Sequence, residues 1–145
     1  MRNEDLQTPL FTLDTDWEAP NLDELPDWSF AEVVGIDTET CDTGIRNKLG
    51  IGVRFPGSFV AGISFCLDGE KSYYLPVRHE GGGNLDEAKV WKYLIDQAGR
   101  FTGTLVGMNI KYDLDYLQSN GVVFPNVYRI RDVMVNAPLI YELDY

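Results

Sequence analysis

The chain is poor in cysteine, histidine and basic residues, and each shortage narrows what it can be. Two cysteines, Cys41 and Cys66, follow no metal-ligand spacing, so a reduced intracellular setting is the default expectation. Cys66 alternates with apolar neighbours in the run 59–67 and reads as a core residue; Cys41 is not read as a ligand. The single histidine, His79, precedes Gly81-Gly82-Gly83, but no Lys-Ser/Thr follows, so this is no phosphate loop. His79 reads as a loop residue rather than a catalytic base. No stretch approaches the roughly 18 apolar residues of a membrane span, and the N-terminus lacks the basic-then-apolar layout of a signal peptide.

Basic residues number 12 against 23 acids, a net charge of −11. Spread evenly, that charge would disfavour a nucleic-acid partner. It is not spread evenly. Eight acids (Glu4, Asp5, Asp14, Asp16, Glu18, Asp23, Glu24 and Asp27) stand against Arg2 in the first 30 residues, leaving −4 on the rest. This Pro-containing leader, 1–29, has little periodicity and reads as a partly extended arm, with Trp17, Leu22, Leu25 and Trp28 available to anchor it on the domain surface. The remainder, 30–145, is long enough for one core, and an apolar content of 44% is ordinary for a globular chain.

The most informative segment is Val33-Val34-Gly35-Ile36-Asp37-Thr38-Glu39-Thr40. On a strand, positions i and i+2 share a face, so Asp37 and Glu39 project side by side. Two adjacent like charges repel unless neutralised, and a hard divalent cation is a usual neutraliser. A solvated pair on a surface strand is the plain alternative. A second apolar run, Thr104–Met108, ends in Asn109 and Asp113. The i, i+4 spacing puts these two on one face once the chain turns helical. Asn109 suits a helix cap, and Asp113 falls in the first turn of a helix over 111–120, leaning back toward the strand ends.

Between these segments the pattern is regular. Strands are expected over 30–39, 58–67 and 71–77, the last two joined at Asp68-Gly69, a strong hairpin turn. Asn84-Leu-Asp-Glu opens a helix whose buried stripe is Leu85, Val90, Trp91, Leu94 and Ile95, with Gly99 at its end. Strands over 104–108 and 127–133, the Asp113 helix ending at Asn120-Gly121, and a last helix toward Tyr141 complete the order. Three antiparallel strands followed by helix–strand–helix–strand predict an α/β, ribonuclease H-like mixed sheet. The loop 43–58 carries Arg46, Lys48 and Arg54 with no acid and four glycines. It is open to two readings: a basic loop that contacts phosphates, or a solvated long hairpin.

At these residues the chain resembles a known family. Asp37-Thr-Glu39-Thr resembles the first exonuclease motif of the DEDD superfamily, and Asn109-Ile-Lys-Tyr-Asp113 the second. Within it the likeness is to the 3′–5′ proofreading domain of family A DNA polymerases, of bacterial and phage type. Ser72-Tyr-Tyr-Leu-Pro-Val-Arg-His79-Glu resembles that family's strand and following loop, and Arg131-Asp132-Val-Met134 its Phe-Asp-Thr-Met strand.

The resemblance implies metal-dependent hydrolysis of the terminal phosphodiester of single-stranded DNA with two Mg2+ or Mn2+ ions, held by Asp37, Glu39 and Asp113. It implies that Asn109 and the backbone around Thr38 and Thr40 position the terminal nucleotide; Met108 is available to pack against the terminal base, with burial in the core as the equal alternative. A polymerase module is expected C-terminal in the parent chain, in the cytoplasm of a bacterium or, for a phage-encoded protein, of its host.

The family's fourth carboxylate lies in a Tyr/His-x-x-x-Asp helix well beyond the second motif, so it is expected after residue 145. The chain would then be truncated before the third motif, lack the last helix, and be weakly active or inactive alone. Tyr128-Arg-Ile-Arg-Asp132 fits the pattern by letter, but it lies close to Asp113 and its flanks read as strand. Asp132 is therefore not taken as a ligand. Glu142 and Asp144 stand at the wrong distance from their tyrosines and are read as surface acids. The alternatives are a ribonuclease of the same fold trimming RNA 3′ ends, and a non-catalytic nucleic-acid-binding module. A calcium loop at Asp37 is excluded, because Cys41 and Asp42 occupy ligand and glycine positions.

Overall fold

Asp68 and Gly69 both take positive φ (50° and 78°), as a tight two-residue hairpin turn requires. They join β2 (Phe59–Leu67) to β3 (Ser72–Pro76). The Asp68 carboxylate also accepts bonds from the backbone N–H of Glu32 (3.0 Å) and Val33 (2.7 Å), fixing the start of β1 (Val33–Cys41). These contacts belong to a computed structural model that describes residues 17–80 and 82–140. Leader residues 1–16, Glu142 and Asp144 lie outside the described residues.

Among the described residues five strands form one sheet in the order β3-β2-β1-β4-β5, with β4 Thr104–Gly107 and β5 Arg129–Asp132. The β1–β2 and β2–β3 pairs are antiparallel; β1–β4 and β4–β5 are parallel. The helices are α1 (Thr43–Arg46), α2 (Glu87–Arg100), α3 (Ile110–Ser119) and α4 (Val133–Ile140). This is the mixed α/β, ribonuclease H-like arrangement expected from the sequence.

The sheet has two unequal faces. Val34, Ile36 and Thr38 of β1 align in register with Leu67, Phe65 and Ile63 of β2, and Leu75 and Leu105 continue this layer. It is the core face. The opposite face carries Gly35, Asp37 and Glu39 beside Cys66, Ser64 and Gly62, all small or acidic.

Several expectations need correction. Trp28 does not anchor an arm on the surface; it is fully buried at the centre of the core, in a short 3-10 turn (Trp28–Phe30) capped by Asp27. Phe65, Tyr93, Phe101 and Phe124 surround it at ring separations of 5.0 to 6.5 Å. Its indole N–H donates to the Tyr93 hydroxyl (3.0 Å) and its backbone N–H to Gln97 Oε1 (2.9 Å). Phe30, expected to open β1, ends that turn instead. On α2 the buried positions are Val90, Leu94, Gln97 and Ala98, while Ile95 is 40% exposed. Gly99 does not end the helix, which runs to Arg100 before the buried Phe101 takes the chain into the core.

Gly103 sets the start of β4. A Cβ there would collide with the Glu32 carbonyl oxygen and lie 2.8 Å from that of Ala31, where the backbone itself is the obstacle. Gly103→Ala should therefore cost about 1–3 kcal/mol, the usual range for overpacking a tight site. A denaturant midpoint equal to wild type would contradict this.

Candidate active site

Strand alternation brings Asp37 and Glu39 to the open face, with the buried Thr38 between them on the core face. A register shift follows Glu39, which pairs with Gly62 while Thr40 pairs with Val60. This bulge ends the regular ladder just past the acidic pair. Among the described residues neither carboxylate has a hydrogen-bond or ion-pair partner. Burial, and then the neighbouring charge of Glu39, push the Asp37 carboxyl above its ordinary value.

Asp113, 2% exposed, enters from α3. Its Oδ1 accepts both the Thr38 backbone N–H (2.9 Å) and the Thr38 hydroxyl (2.6 Å). Burial pushes its carboxyl up; the two Thr38 bonds pull the other way, and the charge of Asp37 adds to the upward shift. Asp113 thus sits electrically close to Asp37 but is tied to the residue between the pair. Among the described residues no three His, Cys, Asp or Glu side chains come together as a metal-holding group. The expected convergence of all three carboxylates at one point is not what the side chains adopt.

The donor chemistry nonetheless fits a hard cation. Two carboxylates stand unpaired on one face and a third is buried close by, all of them oxygen ligands. A group whose folded pKa is raised stabilises the fold fully only below its unfolded value, here 3.8, and that contribution is lost as pH rises through the folded pKa. At neutral pH the metal-free protein therefore carries two destabilising charges. Asp113→Asn keeps an acceptor for Thr38 and removes one of them. It should raise the melting temperature in chelator at pH 7, by an amount that shrinks as pH falls toward 3.8. A lower melting temperature across that whole range would contradict the account.

The other expected site residues surround this centre. Thr40 Oγ1 shares a hydrogen bond with the Tyr112 hydroxyl (2.7 Å). Met108 is 65% exposed rather than part of the core, and lines a cavity of about 340 Å3 with Asp37, Ser64, Val106 and Val133. Asn109 precedes α3 in a left-handed conformation (φ 53°) and makes no side-chain cap, contrary to the capping expected. Its backbone N–H instead donates to Asp132 Oδ1 (2.9 Å), which also accepts from Met134 (2.9 Å). Asp132 therefore ends a strand and organises the backbone on both sides of it.

The basic loop is more ordered than a solvated hairpin. Asp42, buried, accepts from Ile45 N–H (3.1 Å), Gly52 N–H (2.9 Å) and the Tyr112 hydroxyl (3.2 Å). Burial alone would raise its pKa; these bonds outweigh burial and hold it below the usual value. Thr43 and Ser58 close the loop through their hydroxyls (3.0 Å). Arg46 lies in a cleft of about 440 Å3 with Thr40, Arg78, His79 and Tyr112, and among the described residues its side chain makes only a weak bond to Cys41 Sγ (3.6 Å). Arg46, Lys48 and Arg54 form no ion pair among the described residues. Asp42 and Tyr112 line this cleft, and the sequence does not single out either as a site residue. Only Asp42 carried a signal, as an Asp just before Thr43-Gly44 in the manner of a helix cap.

The chain is 51% identical over 140 residues, 95% of its length, to a DNA-directed DNA polymerase of Pseudomonas phage M6. The likeness is to part of a phage polymerase. The chain spans 21% of that relative's length. Among solved structures it is similar to the Aedes aegypti Nibbler EXO domain, with 13% identity and a TM-score of 0.47, over 81% of this chain and 50% of that one. No protein-family model matches the chain. No helix among the described residues is long and apolar enough to cross a membrane.

Proposed function

We propose that the chain from the Trp28 turn onward forms the 3′–5′ exonuclease domain of a DNA polymerase, with the acidic segment before that turn leading into it and the polymerase module elsewhere in the parent chain. The observation that carries this reading is the unpaired Asp37–Glu39 pair on a strand backed by Asp113, within a chain whose similarity to a phage polymerase extends over 95% of its length.

Asp37 and Glu39 would hold divalent ions, Mg2+ or Mn2+, with Asp113 contributing from behind the strand. When bound, such ions acidify a water and stabilise the leaving 3′ oxygen. The chain's own residues do the rest. Thr38 fixes the Asp113 carboxylate through two hydrogen bonds. Thr40 and Tyr112 form one wall of the adjoining cleft, and Arg46 supplies positive charge to it. Exposed Met108 offers an apolar surface for a terminal base, and Asn109 an amide that no cap engages. Lys48 and Arg54, on the same loop as Arg46, would add positive charge for the phosphates of a single strand.

The test is degradation of end-labelled single-stranded DNA and RNA, side by side, with Mg2+ and with chelator, by a chain extended to the full polymerase. Metal-dependent shortening from the 3′ end of DNA is expected. Shortening of RNA alone would move the substrate to RNA; loss of neither would contradict the enzyme reading.

A further inference from the structure

We propose that Tyr74 and His79 form a positioning pair that orients the Glu39 carboxylate on the metal-facing side of the sheet. This rests on the reading of that face as a metal centre.

The register places the parts. Ser64 of β2 pairs with Asp37 on one side and Tyr74 on the other, so Tyr74 shares the open face with the acidic pair. One step along, Gly62 pairs with Glu39. A side-chain carbon on Gly62 would collide with the Tyr74 hydroxyl and ring, so the phenol reaches diagonally over Gly62, toward Glu39. The absence of a side chain at Gly62 creates the space it fills. The charge of Glu39 contributes, after burial, to the upward shift of the Tyr74 hydroxyl, which agrees with that proximity.

His79 completes the pair. Its Nε2 is hydrogen-bonded to the Tyr74 hydroxyl. The His79 backbone is clamped by Asn84, whose Oδ1 accepts from His79 N–H (2.7 Å) and whose amide donates to His79 C=O (2.8 Å). Trp17 packs against the Tyr74 ring at 5.9 Å. A phenol has one proton to donate. With Nε2 protonated, His79 donates to the phenol oxygen, which leaves the phenol proton free to turn toward Glu39, whose carboxylate has no hydrogen-bond partner among the described residues. Each bond in such a chain polarises the next.

Outer partners of this kind fix the direction of a ligating carboxylate, and losing one typically costs about 10–100-fold in metal affinity or activity. The experiment measures Mn2+ affinity by calorimetry, with melting temperature in chelator, for wild type, Tyr74→Phe, His79→Gln and His79→Ala. Tyr74→Phe, which keeps the ring, should weaken Mn2+ binding about 10–100-fold with an unchanged melting temperature. His79→Gln retains a donor amide and should bind Mn2+ more tightly than His79→Ala. Wild-type Mn2+ affinity in Tyr74→Phe, with or without a fall in melting temperature, would overturn the pairing. No Mn2+ binding by wild type would overturn the metal centre itself, and the pair's role with it.

Discussion

Asp37→Asn should abolish metal-dependent nuclease activity while leaving the metal-free fold at least as stable as wild type. The substitution keeps shape and volume but removes one of two adjacent negative charges. Loss of an outer hydrogen-bond partner alone costs about 10–100-fold in metal affinity, so loss of a direct ligand should cost at least the upper end of that range. Stability should move the other way. Burial and the charge of Glu39 raise the Asp37 carboxyl, so ionisation at neutral pH opposes folding, and an amide relieves it. The two readouts together separate a ligand from a structural acid. Activity reduced in proportion to lost folded protein would contradict the assignment; activity lost from a protein with unchanged or higher melting temperature would support it.

Trp28→Ala should be the most damaging single change to the fold, costing about 3–5 kcal/mol as large-to-small core substitutions of Trp do. Trp28 fills the space between β2, α2 and the chain entering β4, touching Phe65, Tyr93, Phe101 and Phe124. Truncation would also strip the Tyr93 hydroxyl of its indole donor, although that hydroxyl still donates to Pro26 C=O (2.7 Å). Because whole domains are stable by only about 5–15 kcal/mol, the variant should be largely unfolded under mild denaturant. A shift of its unfolding midpoint worth less than about 1 kcal/mol would show that the segment before residue 30 is a dispensable arm after all.

How much was legible in the sequence depended on the kind of signal. The Asp68-Gly69 turn and the alternation through Asp37 and Glu39 are local rules of backbone geometry, and both hold. The ends of elements were less legible because tertiary contacts set them. Gly99 is a reasonable helix terminator by propensity, yet burial of Phe101 carries α2 past it. Asn109 is a good cap by residue type, but Asp132 captures its backbone N–H and holds it left-handed. Trp28 looked peripheral because the charges around it are acidic and irregular; only the fold reveals the aromatic cage awaiting it. In the site, the pairing of Asp37 with Glu39 follows from a period of two. The bond from Thr38 to Asp113 spans 75 positions, and no local pattern announces it. The same is true of Tyr74 over Gly62, since that contact depends on sheet register.

The central claim is that Asp37, Glu39 and Asp113 constitute a divalent-metal centre. Titration of Mn2+ into the protein, followed by the loss of free-ion electron paramagnetic resonance signal, tests it most directly. The account predicts saturable binding in wild type that is lost in Asp37→Asn and weakened in Asp113→Asn, with both variants folded. Mn2+ binding of equal strength in wild type and Asp37→Asn would contradict it.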